Sequence, residues 1–265
     1  DDFGNSSYAV LLNAGYSFDS RDSAIAPTRG RVTRLTAEYA TPLGDQEFIR
    51  TTYQEQFYYP IGKQYTLALN GEITGGFGLG GSPYPIFRNV YAGGIGTVRG
   101  YRSSTLGPRD ADNVPVGGSK RLIANAEFFF PIPGMTKDRT FRAFTFLDAG
   151  NVFQSNEKVK LGELRYSTGV GISWLSPVGP LKFSLGVPLN REPQDETQRV
   201  QFTIGTGFWS PNNFKYFWRY VLNSAKKLLI GHFSSRYKTL VELLDEARAV
   251  FPQTDLAIEG ITFKI

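Results

Sequence analysis

Apolar and polar residues alternate along most of the chain with a period of two. In "RVQFTIGTGF", Val200, Phe202, Ile204, Thr206 and Phe208 fall on one face, and Gln201, Thr203, Gly205 and Gly207 on the other. Upstream, Leu181, Phe183, Leu185, Val187 and Leu189 alternate with Lys182, Ser184, Gly186 and Pro188. Before that, Leu164, Tyr166, Val170, Ile172 and Trp174 oppose Arg165, Ser167, Gly169, Gly171 and Ser173. Successive side chains of a strand point to opposite faces, so each segment predicts a strand with one apolar face. Further strands are predicted around 8–19, 31–41, 48–60, 64–78, 120–130 and 139–153, about nine in all. "APTRG", "TPLGD", "YPIGK", "PIPGMTKD" and "LSPVGP" supply the Pro and Gly that punctuate an antiparallel meander.

Two all-β architectures fit this pattern. A soluble sandwich would bury the apolar face, whereas a membrane barrel would turn it to lipid and line a lumen with the polar face. The strands are roughly 10 residues long, about what a tilted strand needs to cross a bilayer. Their polar face is rich in Gly, Ser, Thr and Asn. Aromatics gather near strand ends at Tyr58-Tyr59, Phe128-Phe129-Phe130, Trp174 and Phe208, as interfacial girdles do. The fold class read from the pattern is all-β: an antiparallel transmembrane β-barrel portion of about nine strands, followed by a short α/β tail.

Composition narrows the function classes. The 265 residues are 41% hydrophobic and 14% aromatic, with 29 glycines. Mean hydropathy is −0.24, and no apolar run is long enough for a membrane helix. With no cysteine and a single histidine, His232, there is little material for thiolate, His-rich metal or His-based catalytic sites. A net charge of +5 reads as an ordinary solvated surface, ahead of attraction to lipopolysaccharide or nucleic acid. "DDFGNSSYAV" has neither an initiator Met nor a signal peptide, so the chain reads as a fragment or a processed form.

One connection, 79–119, is long. A loop of this length is functional or disordered. It carries Tyr84, Ile86, Phe87, Val90, Tyr91 and Tyr101, and the pairs Gly80-Gly81 and Gly93-Gly94 permit tight bends. Within it, "PIFRNVYAGGIGTVRGYRSSTLGP" resembles the large extracellular loop of the BamA family of outer-membrane assembly factors, whose tip carries a VRGF or VRGY motif. The motif here is Val98, Arg99, Gly100 and Tyr101. "YSFDSRDSAIAPTRG", "NAEFFFPIP", "FTFLDAGNVF", "GVGISWLSPVGPLKFSLGVPL" and "VQFTIGTGF" resemble the family's later strands in order, so the resemblance covers residues 1–208.

The resemblance implies that the loop folds back into the lumen and that its arginine meets a Glu and an Asp on the inner wall. By motif position these are Arg99, Glu127 and Asp148. Strand parity permits this. Asn125 and Glu127 share a face opposite Leu122, Ala124, Ala126 and Phe128. Arg142 and Asp148 share a face opposite Phe141, Ala143, Leu147 and Ala149, with Phe144 and Phe146 on the Asp148 side. A lipid-facing carboxylate is costly, so the lumen is the cheaper place for both. The expectation is a lock that seats the loop; for either carboxylate alone, a hydrated lining role is the bland alternative. A glycosidase pair would need sugar-binding aromatics around a cleft, and a phosphate loop would need GxxxxGK[ST]; neither is present. No catalytic residue and no cofactor is expected.

Val200, Phe202, Ile204 and Phe208 also resemble the C-terminal signal of outer-membrane barrels. In the family this strand pairs loosely with the first, in a seam thought to open and template incoming strands. The resemblance further implies a bacterial outer-membrane location and assembly and insertion of other β-barrel proteins. Partners would be unfolded outer-membrane proteins, outer-membrane lipid and lipopolysaccharide, and, in the full-length protein, assembly-complex lipoproteins; no nucleic acid is expected. The family's POTRA repeats and the rest of its sixteen-stranded barrel are not in this sequence, so the piece alone is expected not to insert substrates. A passive porin or two-partner-secretion pore is the alternative.

After Phe208 the pattern changes. Leu240, Leu243, Leu244, Ala247 and Val250 recur at helical spacing up to Pro252, and 209–265 reads as strand, helix and strand. "GHFSSRY" resembles the C-terminus of ribonuclease Z, where His232 would be a zinc ligand. A ribonuclease Z-related function carried by the tail is the second alternative, but the family's other ligands are absent from this sequence, so no metal site is expected.

Overall fold

A computed structural model describes residues 8–132, 134, 140–176, 179–204, 228–230 and 254–256. The chain divides into two units, Asp1–Pro211 and Asn212–Ile265.

In the first unit the predicted strands form: β1 (Leu11–Asp19), β2 (Gly30–Ala40), β3 (Phe48–Ile61), β4 (Tyr65–Gly78), β6 (Lys120–Pro131), β7 (Phe141–Phe153), β8 (Arg165–Ser176), β9 (Gly179–Pro188) and β11 (Val200–Ile204). They make one nine-stranded sheet in the order β1-β2-β3-β4-β6-β7-β8-β9-β11, antiparallel throughout. The order is open, with β1 at one end and β11 at the other. The short pieces β5 (Gly100–Tyr101) and β10 (Thr197–Gln198) pair with each other outside this sheet.

Parity sorts the two faces. Tyr53, Phe57, Leu69, Ile73, Phe77, Val170, Phe183, Leu185, Val200 and Phe202 lie exposed on one side, where a bilayer would cover them. Gln54, Gln56, Asn70, Thr74, Asn125, Ser167, Ser184 and Gln201 are buried on the other. This inner face carries a polar ladder across four strands. Gln54 Nε2 donates to Asn70 Oδ1 at 3.0 Å, Asn70 Nδ2 to Asn125 Oδ1 at 2.8 Å, and Asn125 Nδ2 to Asp148 Oδ1 at 2.9 Å. The register that places Asn70 opposite Asn125, and Asn125 opposite Asp148, builds it.

Two expectations need correction. The aromatic runs are not wholly girdles: Tyr59 and Trp174 face outward, but Tyr58 and Phe129 are buried with Ala68, Phe144 and Phe146. Adjacent strand residues must face opposite ways, so a run of aromatics splits between the faces. Leu164, assigned to the outward set, is buried, because β8 begins only at Arg165 and Leu164 ends the 3₁₀ turn Leu161–Glu163. Glu55 lies mid-β3 on the outward parity with Tyr53 and Phe57. Tyr53 Oη donates to Glu55 Oε2 at 3.1 Å, giving the outward carboxylate a partner.

The loop 79–119 is ordered and packed. It contains the 3₁₀ turn Ile86–Arg88 and β5. Its Ala92, Val98, Tyr101 and Leu106 bury against Ile123 of β6 and Val152 of β7. A second anchor joins it to β2 and β3: Arg50 Nη2 bonds Glu38 Oε2 at 2.9 Å, Arg88 Nη1 lies 3.5 Å from Glu38 Oε1, and Tyr84 packs edge-on to Phe48. A third is Arg121 of β6, which pairs with Glu72 and donates from Nη1 to Tyr91 O at 2.9 Å.

In the second unit the described residues are two short strands, β12 (Leu228–Ile230) and β13 (Thr254–Leu256), paired in parallel. Parallel neighbours need a crossover between them. The predicted helix, His232 and Phe208 lie outside the described residues.

Candidate functional site

The tip of the long loop brings Arg99 between β6 and β7. Glu127 of β6 and Phe146 of β7 are direct cross-strand partners, as are Asn125 and Asp148. All four therefore share one inward patch. Arg99 lies over it, with its Cζ 3.7 Å from the Phe146 ring centroid.

The guanidinium is held from both sides. Its Nε and Nη2 donate to Asp148 Oδ2 and Oδ1, both at 2.7 Å, a fork-to-fork pair. Its Nη1 donates to Glu127 Oε1 at 2.6 Å. The Arg99 backbone N–H adds a bond to Asp148 Oδ2 at 3.0 Å, so the loop main chain is fixed along with the side chain. Arg99, Glu127 and Asp148 retain only 4%, 1% and 0% of their exposure, which makes this a buried cluster and not a hydrated rim.

Burial alone would make the Arg99 charge harder to keep, but the Asp148 and Glu127 charges outweigh it and hold the guanidinium pKa above its ordinary value. A fourth member balances the cluster: Lys182 of β9 donates to Glu127 Oε2 at 2.9 Å. Two cations thus meet two carboxylates. The reach from β9 to β6 passes over β7 and β8, which lie between them in the sheet.

The rest of the motif has equally specific work. Val98 is fully buried in the loop's own cluster. Gly100 has φ +85°, a region that L side chains rarely adopt. It also lies against β9: a Cβ on Gly100 would come 3.1 Å from Gly186 C, and one on Gly186 would come 2.7 Å from Gly100 N. Two backbones meet there because neither residue has a side chain. Tyr101 is fully buried, and its Oη donates to Asn190 O at 3.0 Å and to Tyr166 O at 3.3 Å.

Sequence reasoning placed Arg99, Glu127 and Asp148 but missed Lys182, Asn125, Phe146, Gly186 and Gln201. Each sits on the polar parity face of its strand or, for Phe146, on the Asp148 side. Parity thus marked them as inward without saying which would meet the loop. Of the barrel-signal residues, Val200 and Phe202 face outward, Ile204 ends β11, and Phe208 is outside the described residues. Among the described residues, no cluster of His, Cys, Asp and Glu could hold a metal ion. No helix there is long and apolar enough to cross a membrane, which says nothing of strands.

Residues 3–208 match the Omp85 superfamily domain, and the chain belongs to that superfamily. It is 39% identical over 224 residues to the outer membrane protein assembly factor BamA of Neisseria meningitidis, covering 73% of this chain and 28% of that protein. It is 30% identical to BamA of Nitratidesulfovibrio vulgaris, covering 75% and 25%, and 29% identical to the Bos taurus sorting and assembly machinery component 50 homolog, covering 76% and 48%. The crystal structure of Haemophilus ducreyi BamA lacking POTRA domains 1–3 matches the fold with a TM-score of 0.68 at 24% identity, over 73% of this chain and 41% of that one. The chain thus spans about a quarter of the length of its bacterial relatives. The two bacterial relatives are outer membrane protein assembly factors, and with the superfamily match they place the chain in the bacterial outer membrane. The family match ends at residue 208, and the ribonuclease resemblance of the tail finds no support in these comparisons.

Proposed function

We propose that the chain forms the later barrel strands of a factor that assembles and inserts β-barrel proteins into the outer membrane. In this reading Arg99, Glu127 and Asp148 are the latch that keeps the long loop seated on the inner wall. The observation that carries it is the set of four hydrogen bonds from Arg99 to the two buried carboxylates. The loop also packs closely at the latch, with a cavity of about 10 Å³ beside Arg99, Glu127 and Lys182. Unfolded outer-membrane proteins are the proposed clients. Outer-membrane lipid, lipopolysaccharide and assembly-complex lipoproteins are the proposed surroundings of the full-length protein.

The test uses cells that depend on the full-length protein. Arg99→Ala is expected to expose residues 79–119 to protease and to lower the level of folded outer-membrane proteins, and Arg99→Glu to do both more severely. Unchanged loop protection together with normal client levels would sink the latch.

A further inference from the structure

The three residues Arg99, Gly100 and Tyr101 do not act on β6 and β7 alone. They also reach the far end of the sheet. β11 is its last strand, and its sheet partner is β9, from Val200 opposite Leu185 to Ile204 opposite Leu181. Immediately upstream, β10 pairs with the loop instead: Thr197 opposes Tyr101 and Gln198 opposes Gly100. Arg102 N donates to Glu196 O at 2.9 Å and extends that pairing. The handover falls at Arg199, whose carbonyl accepts from Gly186 N at 2.7 Å. One run of chain therefore binds the loop first and the sheet second.

Gln201 ties the two together. It is the first inward-facing residue of β11 and is 6% exposed, and its Nε2 donates to Tyr101 O at 2.7 Å. Its Oε1 is buried with no hydrogen-bond partner among the described residues. An orphaned buried oxygen is destabilising. An apolar side chain would avoid that cost, so what the amide contributes here is its donor to the loop. β11 pairs with β9 in the sheet, and the bond from Gln201 to Tyr101 adds a tertiary tie from the strand to the loop.

We infer that Gln201 is a positioning residue that couples the seating of the loop to the order of β11. Releasing the loop takes from β10 its pairing partner and from Gln201 its acceptor. The order of the end strand then reports whether the loop is in place. The inference rests on the latch reading above.

The experiment compares the full-length protein with Gln201→Met, Arg99→Ala and the double variant. Methionine keeps the unbranched shape and removes the donor. Amide hydrogen exchange over 200–204 reads the strand, and protease cleavage within 79–119 reads the loop. Gln201→Met is expected to speed exchange in β11 by about threefold to tenfold, the factor one hydrogen bond is worth. Arg99→Ala is expected to speed it and also to expose the loop, and the double variant to exchange little faster than Arg99→Ala alone. Gln201→His, read at a pH where the imidazole is neutral, restores an uncharged N–H donor of similar reach and is expected to bring β11 back toward the parent rate. Should Gln201→Met fail to fold, Gln201→Leu is judged by the same readings. Unchanged β11 exchange in the donor-less variant overturns the coupling. So does a loop freed by Arg99→Ala over an unmoved β11, or a double variant in which the two effects multiply. Failure of the latch reads differently: loop cleavage stays at the parent level in Arg99→Ala.

Discussion

Arg99 and Arg102 lie three residues apart in one loop, and both form ion pairs. Their surroundings make them different objects. Arg99 is buried, takes both Asp148 oxygens and one of Glu127, and stacks on Phe146. The Arg102 side chain is 64% exposed and meets Glu196, itself 38% exposed, through one 2.7 Å bond. Water and salt compete at Arg102 and are excluded at Arg99. A buried ion pair is no guarantee of extra stability, because desolvation offsets much of the attraction. What it does impose is a severe penalty on losing one partner. In the latch reading Arg99 fixes where the loop sits, whereas Arg102 only fastens its edge.

Substitutions can break or sharpen this contrast, and all are read in the full-length protein as urea midpoint and loop protease resistance. Asp148→Ala has the largest expected effect. It removes three of the four bonds to Arg99 and leaves a buried guanidinium sharing Glu127 with Lys182, a loss of about 3–5 kcal/mol. A shift no larger than that of Arg102→Ala would erase the distinction between the two sites. Arg99→Lys keeps the charge but loses the planar fork, and a single ammonium cannot span both acids; about 2 kcal/mol should go. Full retention of the midpoint would mean that charge alone holds the loop. Gly100→Ala tests the backbone half of the latch. A left-handed residue at φ +85° with a Cβ against Gly186 should cost about 1–2 kcal/mol with every ion pair intact. Arg102→Ala comes last, at roughly 0–1 kcal/mol, with a difference from the parent that shrinks as salt is added. Insensitivity to salt there would contradict its placement at the exposed rim.

The Glu55 and Glu127 pair shows how far parity can be read. Both are mid-strand carboxylates, and the alternation alone puts Glu127 inward with Asn125 and Glu55 outward with Tyr53 and Phe57. A general rule that carboxylates avoid lipid would have moved Glu55 to the wrong face. The local period was the better guide, because a strand cannot turn one residue without turning its neighbours.

The sequence by itself determined the strands, their faces, the loop and the inward set that includes Glu127 and Asp148. These follow from a period of two and from Pro and Gly placement, which are local properties. Motif resemblance added Arg99 as the residue to meet the two acids. Only the tertiary structure decided that Lys182 reaches Glu127 across two strands, that Gly100 and Gly186 touch, and that Gln201 holds Tyr101. Those contacts join residues 55, 86 and 100 positions apart, set by strand order and register, which no local pattern encodes.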